Sequence, residues 1–313
     1  MNRFYTSVEM PEGLPRFSGR ERLLLMGSCF ATNIGTRLVE AKFACDVNPY
    51  GVLYNPMSIS AALREALEGK VYRADDLQAY GGLWHSPMHH GDFSAPTAEE
   101  ALERINTRLE ALREELKGLD VLVATWGTAW VYEDAQTGRI VGNCHKRPER
   151  CFRRRRLTVE EVTDDWCDLV GRLRAANPRL RVLLTVSPIR HLRDGLHANQ
   201  LSKATLLLAA DRLVEAMPDV VGYFPAYELL NDELRDYRFY AADMVHPSDV
   251  AVDYVWQRFC EACLTDEARR VMDECDAIRK DLAHKPFRPD SDGYKKFLEQ
   301  ILLKIDRLNE KYP

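Results

Sequence analysis

Gly27-Ser28-Cys29-Phe30-Ala31 puts a serine directly behind a glycine, after an apolar run at 23–26 and before a helix-compatible stretch at 32–42. Strand, tight turn and helix in that order stand the serine at the carboxyl end of a strand. In an open α/β sheet this is the edge where ligands bind. The adjoining helix N-terminus also favours developing negative charge. A serine there suits nucleophilic attack on an acyl carbon, given a base and an acid that orients the base. Asp243 and His246 are the candidates, three residues apart in Asp243-Met244-Val245-His246-Pro247. In a helical turn that spacing puts both side chains on one face. The carboxylate would then hold the imidazole tautomer and stabilise the imidazolium. Each feature alone recurs by chance; their occurrence at the two ends of one α/β segment joins them.

Other stretches carry chemistry of a less defined kind. Trp84-His85-Ser86-Pro87-Met88-His89-His90-Gly91-Asp92 is dense in metal-ligand types. Adjacent histidines diverge on most backbones, and no second ligand group lies at zinc-finger spacing. The stretch therefore reads as a substrate-lining loop without a metal, with His90 near the nucleophile. Lys146, Arg147, Arg150, Arg153, Arg154, Arg155 and Arg156 read first as a solvated basic loop. The alternative is recognition of a phosphorylated, sulfated or uronic-acid group by arginine forks. His145, Arg190 and His191 follow strand ends, so they either face the same cleft or satisfy buried carbonyls and carboxylates. Cys29 is expected to turn away from Ser28 into packing. Cys260-x-x-Cys263 has no partner pair and is not expected to bind zinc.

The elements that must position these groups alternate. Short apolar runs at 23–26, 43–47, 121–124, 181–186 and 220–224 read as strands. Helical spacing marks 32–42, 58–67, 97–116, 158–176, 199–217 and 248–259. Thr97 with Glu100 and Thr158 with Glu161 have capping-box spacing. Residues 136–139 look like a hairpin turn, 71–96 and 145–156 like irregular loops, and 1–20 like an irregular arm. Strands separated by helices imply a parallel sheet covered on both faces. The charged, amphipathic tail, broken at 285–289, is expected to be a helical extension (261–313) packed on a main domain (1–260).

The whole chain sets limits. Its 313 residues, 46% of them hydrophobic, suffice for one large α/β domain or two smaller ones. A net charge of -5 gives no reason to expect nucleic-acid or membrane partners. The first 13 residues show no apolar signal-peptide core, and no stretch approaches the roughly 18 apolar residues of a membrane span. Eight scattered cysteines then read as reduced thiols of a cytoplasmic protein. The oligomeric state is not legible.

Gly27-Ser28-Cys29-Phe30-Ala31 resembles the signature that names the GSCFA family. Further stretches resemble the same family: Asn48-Pro49-Tyr50-Gly51, Tyr54-Asn55-Pro56, Gly127-Thr128-Ala129-Trp130, Asn143-Cys144-His145-Lys146, Ser187-Pro188-Ile189-Arg190-His191, Asn199-Gln200-Leu201-Ser202-Lys203 and 236–248. That family is in turn similar to SGNH/GDSL hydrolases, which implies a three-layer α/β/α flavodoxin-like fold and action on esters without a cofactor. By the resemblance, Ser28 is the nucleophile, with Asp243 and His246 as its pair. Gly51 joins the backbone N–H of Ser28 in the oxyanion hole. Gly127-Thr128-Ala129-Trp130 stands where those enzymes carry Gly-x-Asn-Asp, so Ala129 replaces the asparagine that donates a third hydrogen bond. Thr128 or Asn143 is the expected substitute; Asn143 reads equally well as a turn residue. The resulting expectation is a serine esterase acting on a small-molecule or carbohydrate ester, with deacetylation of a carbohydrate as the leading case. The alternatives are acyl transfer by the same residues and a non-catalytic binding protein that kept the pocket.

Overall fold

The computed structural model describes residues 5–284, 287 and 291–311. Strand β1 (Leu23–Gly27) is buried along its whole length and turns directly into helix α1 (Cys29–Glu40). Strand β2 (Cys45–Val47) and helix α2 (Pro56–Glu68) follow. A hairpin of β3 (Gln78–Tyr80) and β4 (Leu83–His85) occupies part of the stretch expected to be irregular. Helix α3 (Ala98–Leu116) leads to β5 (Val121–Trp126). Next come β6 (Trp130–Asp134), β7 (Ile140–Val141) and β8 (Phe152–Arg156). Then follow α4 (Val159–Ala176), β9 (Arg181–Val186), α5 (Gly195–Ala216), β10 (Val221–Tyr223) and a short α6 (Ala226–Glu228). Helices α7 (Asp249–Cys263), α8 (Asp266–Ala283) and α9 (Asp292–Lys311) complete the chain.

Five strands form the central sheet in the order β2-β1-β5-β9-β10, every pair parallel. Numbered by appearance this is 2-1-3-4-5, the flavodoxin-like order, whose direction reverses between β1 and β5. The pleat sends alternate side chains to opposite faces. Leu24, Met26, Leu122 and Ala124 join a core with α2, α3, α4 and α5, whereas Leu23, Leu25, Val121 and Val123 join one with α1 and α7. Burial on both faces explains why these strands read as continuous apolar runs. The result is the expected three-layer α/β/α arrangement.

Local signals account for the helix starts. Thr158 and Glu161 cap reciprocally, at 3.2 Å and 2.8 Å. At Thr97 the hydroxyl accepts from the Glu100 N–H at 3.2 Å. The basic stretch is different from its reading as a loop: residues 152–156 are strand β8, paired with β6 in a separate three-stranded sheet. Arginine charge hid the strand, because the guanidinium groups of Arg153, Arg154 and Arg155 each find a carboxylate or a ring. Arg153 and Arg155 flank the Glu133 carboxylate on one face, while Arg154 lies over Trp130 and Tyr132 on the other.

The N-terminal arm is a strap. Phe17 is fully buried and bridges to Leu264, and the Val8 N–H donates to Glu233 Oε2 at 3.0 Å. Helix α8 buries Ala268 and Ile278, and Arg279 pairs with Glu40 of α1 at 2.8 Å. Helix α9 buries Ile301 and joins α8 through Lys304–Asp281 at 2.7 Å. The expected break at 285–289 lies, Phe287 apart, outside the described residues. No helix among the described residues is long and apolar enough to cross a membrane. All eight cysteines are free.

Candidate functional site

Ser28 is placed by two constraints on its neighbours. Gly27 has φ +139°, and a Cβ there would stand 2.1 Å from the Thr125 carbonyl oxygen. Only glycine lets β1 approach β5 so closely at the turn. Ser28 then caps α1 by position, yet its hydroxyl accepts no hydrogen bond from the first turn. It is 2% exposed, and its Oγ has no hydrogen-bond partner among the described residues. A serine at this position usually spends its oxygen on the N2 or N3 amide. Here that oxygen is free for chemistry. Because α1 starts at Cys29, earlier than the expected residue 32, the amides of Cys29 and Phe30 follow Ser28 directly without intrahelical acceptors, while the Ala31 N–H donates to the Ser28 carbonyl at 2.8 Å. The Ser28 N–H itself makes a long 3.3 Å bond to Thr125 O.

Asp243 and His246 meet through a turn, not the helical turn expected from their spacing. Met244 has φ +59°. Asp243 Oδ1 accepts the N–H groups of Val245 and His246, each at 2.9 Å, and Oδ2 lies 2.6 Å from His246 Nδ1. These bonds, led by the His246 amide and then its ring, hold the Asp243 pKa down at about 2. A carboxylate so placed fixes the Nδ1–H tautomer and frees Nε2 as a base. Ser28 and His246 line the same cleft, of about 340 Å³, together with Cys29, Tyr54, Thr128, Trp130, Tyr132, Arg154, Arg190, His191 and Arg193. It opens at the carboxyl edge of the sheet where the strand order reverses.

Thr128 stands in the cleft wall in a defined network. Ser202, 1% exposed, accepts the Ala129 N–H at 2.8 Å and lies 3.1 Å from Thr128 Oγ1. Thr128 Oγ1 also accepts the Trp130 N–H at 3.1 Å. Either hydroxyl can donate in the Ser202–Thr128 pair; where Ser202 donates, the Thr128 proton is left for the cleft. His191 donates its main-chain N–H to Asn199 Oδ1 at 3.0 Å, and burial, with Lys203 nearby, pushes its imidazole pKa down to about 4. It is a neutral ring. Lys203, wholly buried on α5, donates to the carbonyls of Gly127 and Ser187, both at 2.5 Å. It ties the ends of β5 and β9 together under the cleft. Sequence reasoning named it only within a stretch resembling the family and gave it no role, though Asn199, Lys203, Leu206 and Ala210 form one buried stripe at helical spacing.

Other expected site residues stand elsewhere. Gly51 donates its N–H to Asn48 O at 2.7 Å, and His90 covers its Cα. It is not in the cleft wall, and its amide is already engaged. Asn143 Oδ1 accepts the His145 N–H at 2.9 Å, the turn role. His145 stacks on His85 at 4.4 Å and bonds the Ser86 carbonyl at 2.8 Å. His90 pairs with Asp92 at 2.9 Å and does not line the cleft. His89 is buried against Tyr50, ring to ring at 4.1 Å. Among the described residues no group of three or more His, Cys, Asp or Glu is arranged to hold a metal ion. Cys29 differs from its expected place in the packing: it is half-buried on the cleft wall. Cys260 and Cys263 belong to the α1–α7 core.

Residues 22–259 match the model of the GSCFA family, and residues 275–313 match that of the GSCFA domain protein, C-terminal domain. No curated protein matches the chain. With the first match spanning more than half of its length, the chain belongs to the GSCFA family.

Proposed function

We propose that the protein is a serine esterase of the SGNH type. One observation carries this reading: the buried, unpartnered Ser28 hydroxyl opens on the same cleft as an imidazole whose Nδ1 is held by Asp243. Ser28 Oγ attacks the ester carbonyl while His246 Nε2 takes its proton. Asp243 stabilises the imidazolium. The oxyanion forms beside the first amides of α1, where the helix dipole favours negative charge. The Thr128 hydroxyl is the side-chain donor that can take the place of the asparagine replaced by Ala129. His246 returns the proton to the leaving alkoxide, and water resolves the acyl-enzyme by the reverse use of the same groups. Ser28 and His246 are not hydrogen-bonded here, and catalytic bonds of this kind often tighten only when substrate is present.

A fluorophosphonate probe tests the reading. The expected result is labelling of Ser28 and turnover of short aryl esters, both lost in Ser28→Ala. Absence of labelling together with absence of Ser28-dependent turnover on any acyl ester sinks it and leaves a binding protein. Product analysis with added sugar acceptors separates hydrolysis from acyl transfer. A deacetylase predicts free acetate from O-acetylated sugars.

A further inference from the structure

Among the described residues three arginines line the cleft and no carboxylate does. Their partners differ. Arg154 is neutralised by Asp194, whose side chain is only 7% exposed, through a 2.7 Å bond from Nη2 to Oδ2. It also lies over the Trp130 and Tyr132 rings, at 4.8 Å and 5.2 Å. Its charge is compensated, and its work is to fix those rings. Arg193 pairs with Glu149, but both side chains are largely exposed, and such pairs contribute little. Arg190 alone of the three has no carboxylate partner among the described residues. Its guanidinium rests against the adjoining rings of Tyr237 and Tyr240, at 5.5 Å and 4.8 Å from their centres. Its two terminal nitrogens donate to their hydroxyls, at 3.3 Å and 3.2 Å.

This arrangement holds a cation in place without neutralising it. The rings and hydroxyls orient the fork, while the charge stays uncompensated at the mouth of the cleft. Tyr237 accepts from Arg190, so its own proton is available to a ligand. A neutral ligand would leave that charge unanswered. A carboxylate or sulfate would accept charge-assisted bonds from the fork and one from the phenol.

We propose that Arg190 and Tyr237 form an anion-binding subsite, and that the ester taken by this cleft carries a carboxylate or sulfate group. The inference rests on the esterase reading for the word ester, not for the anion site. An anionic alcohol portion, such as a uronate or a sulfated sugar, and a dicarboxylic acyl portion would present the same chemistry to Arg190.

The test is binding to the full chain, measured by calorimetry and by ligand-observed NMR into the tens-of-millimolar range. The probes are methyl glucuronide, methyl glucoside 6-sulfate, succinate, and the neutral methyl glucoside and acetamide. The sugar and acyl arms distinguish the two sources. At least one anionic probe is expected to bind at least tenfold tighter than its neutral counterpart, more weakly as salt is raised. Arg190→Gln is expected to weaken that binding by about tenfold to a hundredfold, with Arg190→Lys recovering part of it. Tyr237→Phe, a substitution at an exposed side chain that leaves the fold alone, should weaken it severalfold. Failure of every anionic probe to bind, equal binding of anionic and neutral probes, or anion binding that survives both Arg190→Gln and Tyr237→Phe overturns the inference. The outcome separates from the fluorophosphonate result. A labelled Ser28 without anion preference removes the subsite and keeps the esterase. Arg190-dependent anion binding without labelling keeps the subsite in a protein that is not a hydrolase.

Discussion

Asp243 spends both oxygens on one histidine, Oδ1 on its amide and Oδ2 on its ring. Its pKa is lowered from 3.8 to about 2, so the carboxylate is charged across the whole range in which an esterase is assayed. An acidic limb in the rate profile therefore belongs to another group. The stability that these bonds supply is present above pH 3.8 and is lost as the pH falls through the folded value near 2. Asp243→Asn separates geometry from charge. Its amide oxygen can still accept the two main-chain N–H groups, so the turn should persist. Its NH2 faces Nδ1 as a donor and enforces the wrong tautomer. We expect kcat to fall by roughly 10³–10⁴ with little change in the thermal midpoint. Steady-state kinetics beside a melting curve checks this, and a loss below tenfold would remove Asp243 from the proposed mechanism.

At the scale of elements, the turn from β1 into α1 shows how packing between strands sets a site. Gly27 makes the close approach to β5, and its N–H donates to Asn48 Oδ1 at 2.8 Å in the loop after β2. Gly27→Ala combines a positive φ with a Cβ 2.1 Å from a backbone oxygen that cannot swing away. We expect a loss of at least about 3 kcal/mol in urea unfolding, from strain and forced separation of β1 from β5. A loss under 1 kcal/mol would show that the turn relaxes freely. The small β6–β7–β8 sheet works the same way. Its pleat alternates the arginine run, so Arg154 reaches the cleft while Arg153 and Arg155 are consumed by Glu133.

Over the whole molecule, Lys203 is the group through which helix α5 holds the sheet edge. It is fully buried, and desolvation lowers its pKa from 10.5 to about 7, while its partners among the described residues are two neutral carbonyls. Between pH 7 and 10.5 the unfolded chain binds a proton here that the folded chain has released. Stability through this group therefore rises with pH over that window and is lost as the pH falls through 7. Lys203→Met removes the titration and leaves both carbonyls without their donor. The stability difference between wild type and variant, followed by urea unfolding from pH 7 to 9, should change in favour of wild type as the pH rises. A difference that is flat with pH would mean that Lys203 stays charged throughout. The variant should also lose ester turnover, because Gly127 and Ser187 both flank the cleft.

The sequence by itself determined the alternation of strands and helices, and with it the three-layer class. Apolar runs and 3.6-residue stripes record burial, and burial is a property of local composition. It also determined the serine turn and the Asp-x-x-His pair, because both are short-range patterns within a few residues. Tertiary structure decided what those patterns face. Gly51 and Asn143 carry plausible donors for an oxyanion, but the Gly51 amide is spent on Asn48 within its own loop, Asn143 Oδ1 holds the His145 turn, and neither residue lines the cleft. Arg153, Arg154 and Arg155 are alike in sequence and differ in role, since the pleat turns Arg153 and Arg155 to Glu133 and Arg154 to Asp194 and the aromatic rings. Thr128, Lys203 and Arg190 owe their candidate roles to residues tens of positions away. Such roles depend on which hydrogen-bonding partners the fold leaves unsatisfied, and that accounting exists only once the chain has closed on itself.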